Sequence, residues 1–420
     1  MERTLKTARR RAAGELFGWP LFAFLLILTV MKGIRMPSRW AVTHYLFTYQ
    51  MGFTRRGLWG ELLRRTLQAR TSNYFVLATV GLIIFALFLL VLVRLCRDVA
   101  PSQDRVPLLL VLLASPGLAF FAHLTGYLEQ VVYLALLVIF VAARRQRWNA
   151  AVTLAFLAAL ILPCIHEASI LWVGALTLLA LLAASADSRS TPSSRRLLAL
   201  LLVAGVWVAS TAAVVTYGRL TRMRLEALRD DRLQSFEFRL RTDAFQTLTT
   251  TLSADLAEMR ARWADPNIQV DMILSLAVFA PGAIYLGVLA GRRARAFDPD
   301  PTIQNVAMTL VVLSAAGPLL LHAVGRDAHR WNALAALDAG LAALVLCGVP
   351  AAAATAAGLA RRPRRITAAA LMVCIWGVAA DPSFFDMYGP NHPPFQYNIL
   401  FLRDAILHPD RNNWLPARGR

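Results

Sequence analysis

Lysine is nearly absent from this chain: Lys6 and Lys32 are the only two among 44 basic residues. Acids are scarce too, 25 in 420 residues, and charged residues of all kinds amount to 16%. That is too little charge for a chain wetted on every side, and 57% of the residues are hydrophobic and gathered into long runs. The four cysteines, Cys96, Cys164, Cys347 and Cys374, lie in or beside apolar runs. They have no metal-ligand spacing, so they read as small core residues rather than disulfides or ligands. There is no extended strand-type alternation, and no internal repeat of the kind common in secondary transporters. A net charge of +19 invites a nucleic-acid reading. No nucleic-acid-binding module accompanies it, and many of the arginines lie in short turns suited to anionic headgroups. Nucleic acid is therefore not an expected partner.

What is present is hydrophobic length. A helix that crosses a bilayer needs roughly 20 mainly apolar residues, and about eleven runs approach this. They lie near 16–35, 74–95, 106–123, 128–143, 150–164, 167–184, 197–217, 272–291, 304–322, 332–349 and 366–382. Backbone polar groups in lipid must pair within the segment, so the expected fold is all-α, a polytopic transmembrane helical bundle of about 11 spans. The first run follows a basic segment without a small-residue cleavage site, which reads as an uncleaved signal anchor.

Orientation follows from arginine. The connections 1–15, 94–105, 144–147, 185–196, 292–295 and 361–365 each carry three or more basic residues, whereas the turns 123–129 and 163–169 carry none. This positive-inside pattern puts the N-terminus in the cytoplasm and, with eleven spans, the C-terminus outside a bacterial inner membrane. The bundle would occupy 1–382, with outer amphipathic segments at 36–72 and 218–270. The tail 383–420 would pack on its outer side. All seven histidines, His44, His123, His166, His322, His329, His392 and His408, then fall on that outer side.

Three outer motifs carry the chemistry. The first is Gly52-Phe53-Thr54-Arg55-Arg56-Gly57-Leu58-Trp59-Gly60-Glu61. Paired guanidinium forks match phosphate oxygens, and glycines permit close backbone approach. The plainer reading is an interfacial helix from Leu58 to Leu67 whose arginines touch lipid phosphates. The second is Pro163-Cys164-Ile165-His166-Glu167. Ionisable groups near membrane depth are costly and hence functional candidates. The third is His322 to Trp331, with Asp327, His329 and Arg330, followed by Asp338 two helical turns on. Arg330 is the expected partner of Asp338, the nearest cation on that face. His123 and Glu129 flank a further short outer turn. Glu167, His166, Asp327 and Glu61 are the candidate catalytic groups. Arg55, Arg56, Arg330, His329, His123 and Glu129 are the candidates for binding substrate or phosphate.

Arginines for phosphate, carboxylates or histidines for proton transfer, and a helical wall for a lipid suit surface-glycan assembly from polyprenyl-phosphate-linked sugars. The Gly52–Gly60 motif, His166-Glu167 and the Asp327-x-x-Arg330-Trp331 turn resemble those of bacterial multi-spanning surface-polysaccharide proteins grouped with the GT-C glycosyltransferases. The resemblance implies a GT-C-like bundle with an outer-face site, a lipid-linked sugar donor and a glycan or lipid acceptor. It also implies an acid in the first outer loop, where this chain has Glu61 alone, so Glu61, Glu167 and Asp327 compete for the role of base. Whether a divalent cation takes part is left open. A polysaccharide polymerase or ligase, a lipid or solute transporter, and a structural envelope subunit are the other readings.

Overall fold

A computed structural model describes residues 2–68, 73–99, 102, 104–185, 192–235, 240–325, 327–349 and 363–380. Every element among the described residues is helical. The tail from 383, with His392 and His408, lies outside the described residues, as does Arg326.

Among the described residues, six helices are long and apolar enough to cross a membrane. They are α4 (Tyr74–Arg97), α8 (Trp148–Ile165), α10 (Ser193–Tyr217), α14 (Pro266–Arg295), α15 (Pro301–Ala316) with the 3-10 turn Pro318–Ala323 that continues it, and α16 (Ala328–Cys347). A seventh span results if α5 (Arg105–Leu113) and α6 (Pro116–His123) are taken together, although they meet at 41°. The bend has a local cause. Pro116 has no N–H to continue α5, and the Ser115 hydroxyl caps the new helix by accepting from the Gly117 amide at 3.1 Å.

Each of the eleven apolar runs is thus helical over most of its described residues, but several helices are short. The helix α7 (Leu128–Arg144) has 17 residues, a length of about 25 Å against a hydrocarbon core of about 30 Å. The apolar stretches Gly18–Gly33, Ile170–Ser185 and Thr367–Ala379 are shorter still. Six or seven long apolar helices suit a multi-pass membrane protein.

The bundle is built around α16, which is buried from Arg330 to Cys347. Its alanines and Gly340 let neighbours come close, the usual means of packing helices in lipid. A Cβ on Gly340 would lie 2.6 Å from Leu112, and one on Gly117 would lie 2.7 Å from the Ala333 carbonyl oxygen. Three of the cysteines, Cys96, Cys347 and Cys374, are buried, and all four are free thiols.

The bundle has two chemically different ends. At one, the basic turns fold onto scarce acids: Arg293 meets Asp104 at 2.6 Å and Arg196 meets Asp298 at 2.7 Å. At the other, the C-termini of α8 and α10 meet the N-termini of α7 and α16 under the segment 36–68. That segment folds as α2 (Arg39–His44), a 3-10 turn at Tyr49–Met51, and α3 (Gly57–Leu67). Covering it are α11 (Arg222–Ser235), α12 (Thr242–Gln246) and α13 (Leu252–Arg262), with Phe245 of α12 against Phe47 at 5.4 Å between ring centroids.

Candidate functional site

The site begins at a strained residue. Arg56 has φ 60° and ψ 9°, the left-handed region that a non-glycine residue adopts at a cost. Its neighbours hold it there. The Arg55 amide donates to the Gly218 carbonyl at 2.8 Å. A Cβ on Gly60 would fall 2.0 Å from the Phe47 carbonyl oxygen, so α3 lies directly on the chain before it. The result is that two adjacent arginines point to different places.

Arg56 points inward. Its Nε donates to Glu167 Oε2 at 2.9 Å, and its Nη2 to Oε1 at 2.6 Å. This is a forked, charge-assisted contact with both side chains mostly buried. Its third nitrogen, Nη1, lies 3.1 Å from His44 Nε2. The other ring nitrogen of His44, Nδ1, is 2.9 Å from the Trp40 carbonyl oxygen. A guanidinium can only donate and a carbonyl can only accept, so His44 is the neutral tautomer with its proton on Nδ1. Burial, aided by Arg56, pushes the His44 ring down to about 3. Burial raises the Glu167 carboxyl, but the Arg56 charge outweighs it and holds the group well below the usual carboxylate range.

His166 caps α8 just after the helix loosened by Pro163. Its Nδ1 accepts the Ala168 amide at 3.2 Å. That nitrogen is also 3.7 Å from Glu167, but as an acceptor it makes no ion pair there. The ring packs on Trp172 at 4.3 Å, and Trp172 in turn stacks on Trp331 at 6.2 Å.

Facing this cluster is a second buried pair. Arg330, in the first turn of α16, places Nη1 3.2 Å from Glu129 Oε1 and Nε 3.4 Å from Asp327 Oδ2. Asp327 also caps α16 by accepting the Arg330 amide at 3.2 Å. Three aromatic rings surround the guanidinium: Trp331 at 4.4 Å, Tyr127 at 5.4 Å and Trp40 at 5.8 Å. Between the two pairs is a cavity of about 10 Å3 lined by Trp40, His44, Arg56, Tyr127, Glu129, His166 and Arg330, together with Ala41 and Leu128.

The expected site residues therefore divide. Arg56, His166, Glu167, Glu129, Arg330 and Asp327 come together. Arg55 stays close but turns away, with Nη2 donating to the Thr250 carbonyl at 2.9 Å and to its hydroxyl at 3.0 Å. Its Nε is buried without a hydrogen bond, and no carboxylate among the described residues forms an ion pair with it. Glu61 lies outside the cavity, bound by Arg64 at 2.7 Å and Arg65 at 2.8 Å, and the Arg64 contact brings its carboxyl down to about 2. His123 and His329 do not line the cavity either. The Arg35 guanidinium binds the His123 carbonyl at 2.9 Å.

The pairing expected between Asp338 and Arg330 is not found. Tyr133 of α7 donates to Asp338 Oδ1 at 2.7 Å, while Arg330 is taken by Glu129 and Asp327. Eight residues along a helix separate two groups by about 12 Å, so a group on a neighbouring helix wins. Trp40 and Tyr127 are wall residues, and Trp172 backs the His166 ring; sequence reasoning does not single them out. Their signal is faint, an aromatic within a few residues of a histidine or an acid.

A separate apolar groove of about 220 Å3 opens on the side of the bundle, where Val208, Leu313 and Leu320 are exposed. Its walls come from the π-helical turn Ile170–Gly174, from Ala204, Trp207 and Val208 of α10, and from Leu310, Leu313, Gly317 and Leu320. Two of these walls lead to the polar site: Ile170 follows Glu167 by three residues, and α10 ends at Gly218, which holds the Arg55 amide. Among the described residues no group of three or more His, Cys, Asp or Glu is arranged to hold a metal ion. No protein-family description, curated protein or solved structure matches the chain.

Proposed function

We propose that this protein is a GT-C-like glycosyltransferase of the bacterial cytoplasmic membrane. It would transfer a sugar from a polyprenyl-phosphate carrier to a glycan or lipid acceptor at the outer face, in surface-glycan assembly. The observation that carries this reading is the convergence of two arginine–carboxylate pairs, Arg56–Glu167 and Arg330–Glu129, at one end of a helical bundle. Such a transfer develops negative charge on the departing phosphate and releases a proton from the acceptor. Fixed guanidinium groups favour the first and a carboxylate receives the second.

The apolar cavity supports a lipid-linked donor. Val208 lies ten residues before Gly218, which is about 15 Å along a helix. An amphiphile could rest its phosphate by Arg55, which has no carboxylate partner among the described residues and a free Nε, and its chain against Trp207 and Leu313. A polymerase or ligase of the same pathway would use the same donor and differ only in the acceptor. Transport is the second reading, favoured by Asp338, a wholly buried acid midway along α16. Against it, the helix continues from Ala339 to Cys347 with buried apolar residues and Gly340, which gives an ion no onward path.

The test is a melting experiment on the purified protein in detergent. Polyprenyl phosphate should raise the melting temperature, polyprenol should not, and Arg55→Ala should cancel the shift. Equal shifts from phosphate and alcohol would remove the lipid-phosphate reading.

A further inference from the structure

The two carboxylates of the site are not equivalent. Both Glu167 oxygens face the Arg56 fork, at 2.6 and 2.9 Å. To act as a base, Glu167 would have to take a proton while held as an anion by the strongest contact in the site, and a carboxylate so stabilised is a poor proton acceptor. Glu129 is in the opposite situation. It is 1% exposed, and among the described residues its Oε1 accepts no hydrogen bond, Arg330 Nη1 lying 3.2 Å away as an ion-pair partner only. The Arg330 Nε likewise has no hydrogen bond. A buried carboxylate oxygen left without a donor is costly, and such sites are expected to be completed by another group.

The cavity beside it is the size of that group. At about 10 Å3 it holds roughly one water-sized centre, which is also the size of a hydroxyl. Glu129, His44, His166 and Arg330 all border it. Of these, His44 already accepts from Arg56 and His166 from the Ala168 amide, so the nitrogen each has shown as an acceptor is occupied. Arg330 can only donate.

We propose that Glu129, rather than Glu167, Asp327 or Glu61, receives the proton of the acceptor hydroxyl. This inference rests on the transferase reading above. The hydroxyl oxygen forms a bond to the anomeric carbon of the donor sugar as its O–H bond breaks towards Glu129 Oε1. The bond from that carbon to the carrier's phosphate oxygen breaks, and the phosphate leaves with the electron pair. Arg56–Glu167 then acts as a positioning pair that fixes the wall, and Glu129 is the catalytic residue.

The experiment compares surface glycans of a deletion strain carrying wild-type protein, Glu129→Gln or Glu129→Asp, with membrane levels matched by blot. Loss of the glycan in the deletion strain and its return with wild type establish the background. Glu129→Gln at wild-type membrane level should then lower glycan output by about 100-fold or more, the scale of general-base catalysis. Lipid-linked sugar should accumulate, because donor binding survives. Full output from Glu129→Gln would overturn the role of Glu129 and leave the transferase reading standing. An unchanged glycan in the deletion strain would overturn both. If the Gln variant fails to reach the membrane, Glu129→Asp keeps the charge opposite Arg330 but draws the carboxylate back by one methylene. A shift of about 1 Å in a reacting group can cost as much as 100-fold, so its output should fall at least tenfold, and full output would overturn the proposal.

Discussion

Arg56 and Glu167, 111 residues apart in sequence, meet fork to fork at 2.6 and 2.9 Å in a nearly dry setting. One belongs to the turn that starts α3 and the other to the turn that ends α8, so this contact fastens the segment 36–68 to the bundle. Its value lies less in net energy than in what happens when it is broken, since a buried pair is offset by the cost of taking both charges out of water.

Removing one partner should therefore be worse than removing both. Glu167→Gln and Arg56→Met each leave an uncompensated buried group and should destabilise the protein by about 3–5 kcal/mol. The double variant should lose clearly less than the sum of the two. Melting temperatures in detergent for the four proteins of the cycle measure the coupling directly. Strict additivity would show that the two groups do not interact.

His44 makes stability depend on pH. Folded, the ring is held neutral and is pushed down to about 3 by burial; unfolded, it titrates near about 6.5. Between these values the unfolded chain binds the extra proton, so stability rises with pH and is lost on acidification from about 6.5 downward. The slope from one such histidine is at most about 1.4 kcal/mol for each pH unit. Comparing melting temperatures of wild type and His44→Gln from pH 7 to 5 should give a flatter profile in the variant. His166 adds in the same sense, so its own Gln variant should flatten the curve as well.

Among the described residues Tyr133 is the one hydrogen-bond donor at Asp338, and Oδ2 of that acid has no hydrogen-bond partner there. Tyr133→Phe should cost about 1–3 kcal/mol, the range for leaving a buried polar group unsatisfied. Tyr133→Phe combined with Asp338→Leu removes both polar groups and should recover much of that loss. Denaturation in mixed micelles, read by tryptophan fluorescence, distinguishes the two outcomes.

At Gly60 the backbone contact leaves no room for a side chain, with a Cβ 2.0 Å from the Phe47 carbonyl oxygen. Gly60→Ala should push α3 off the chain before it and disturb the Arg56 turn, lowering the melting temperature and, under the proposed transferase function, glycan output. Gly205→Ala is the control, because nothing lies within 4 Å of its Cβ position.

The helices were legible because lipid imposes a single rule, a long apolar run, and all eleven runs are helical over most of their described residues. Their status as spans was less legible. A run such as 128–143 has the right composition, but at 17 residues its helix is short and most of its residues are buried against other helices. The motifs at Arg55-Arg56 and His166-Glu167 were visible as charges out of place in apolar surroundings. The division of labour between Arg55 and Arg56 was not, because it depends on the left-handed turn at Arg56, which no local pattern announces. Glu129 was legible as a candidate for binding substrate, an acid beside a short turn, but not as the partner of a particular cation. Its pairing with Arg330, 201 positions on by residue number, is set by how α7 and α16 are packed. Sequence distance misled for Asp338, where the nearest cation along the helix lost to Tyr133 on another helix.

The most direct measurement is mass spectrometry of lipid-linked sugars and surface glycans in a deletion strain. Transfer from a polyprenyl-phosphate carrier predicts that one lipid-linked sugar accumulates while the matching sugar disappears from a surface glycan, both reversed by wild-type protein. Unchanged pools of both in the deletion strain would contradict it.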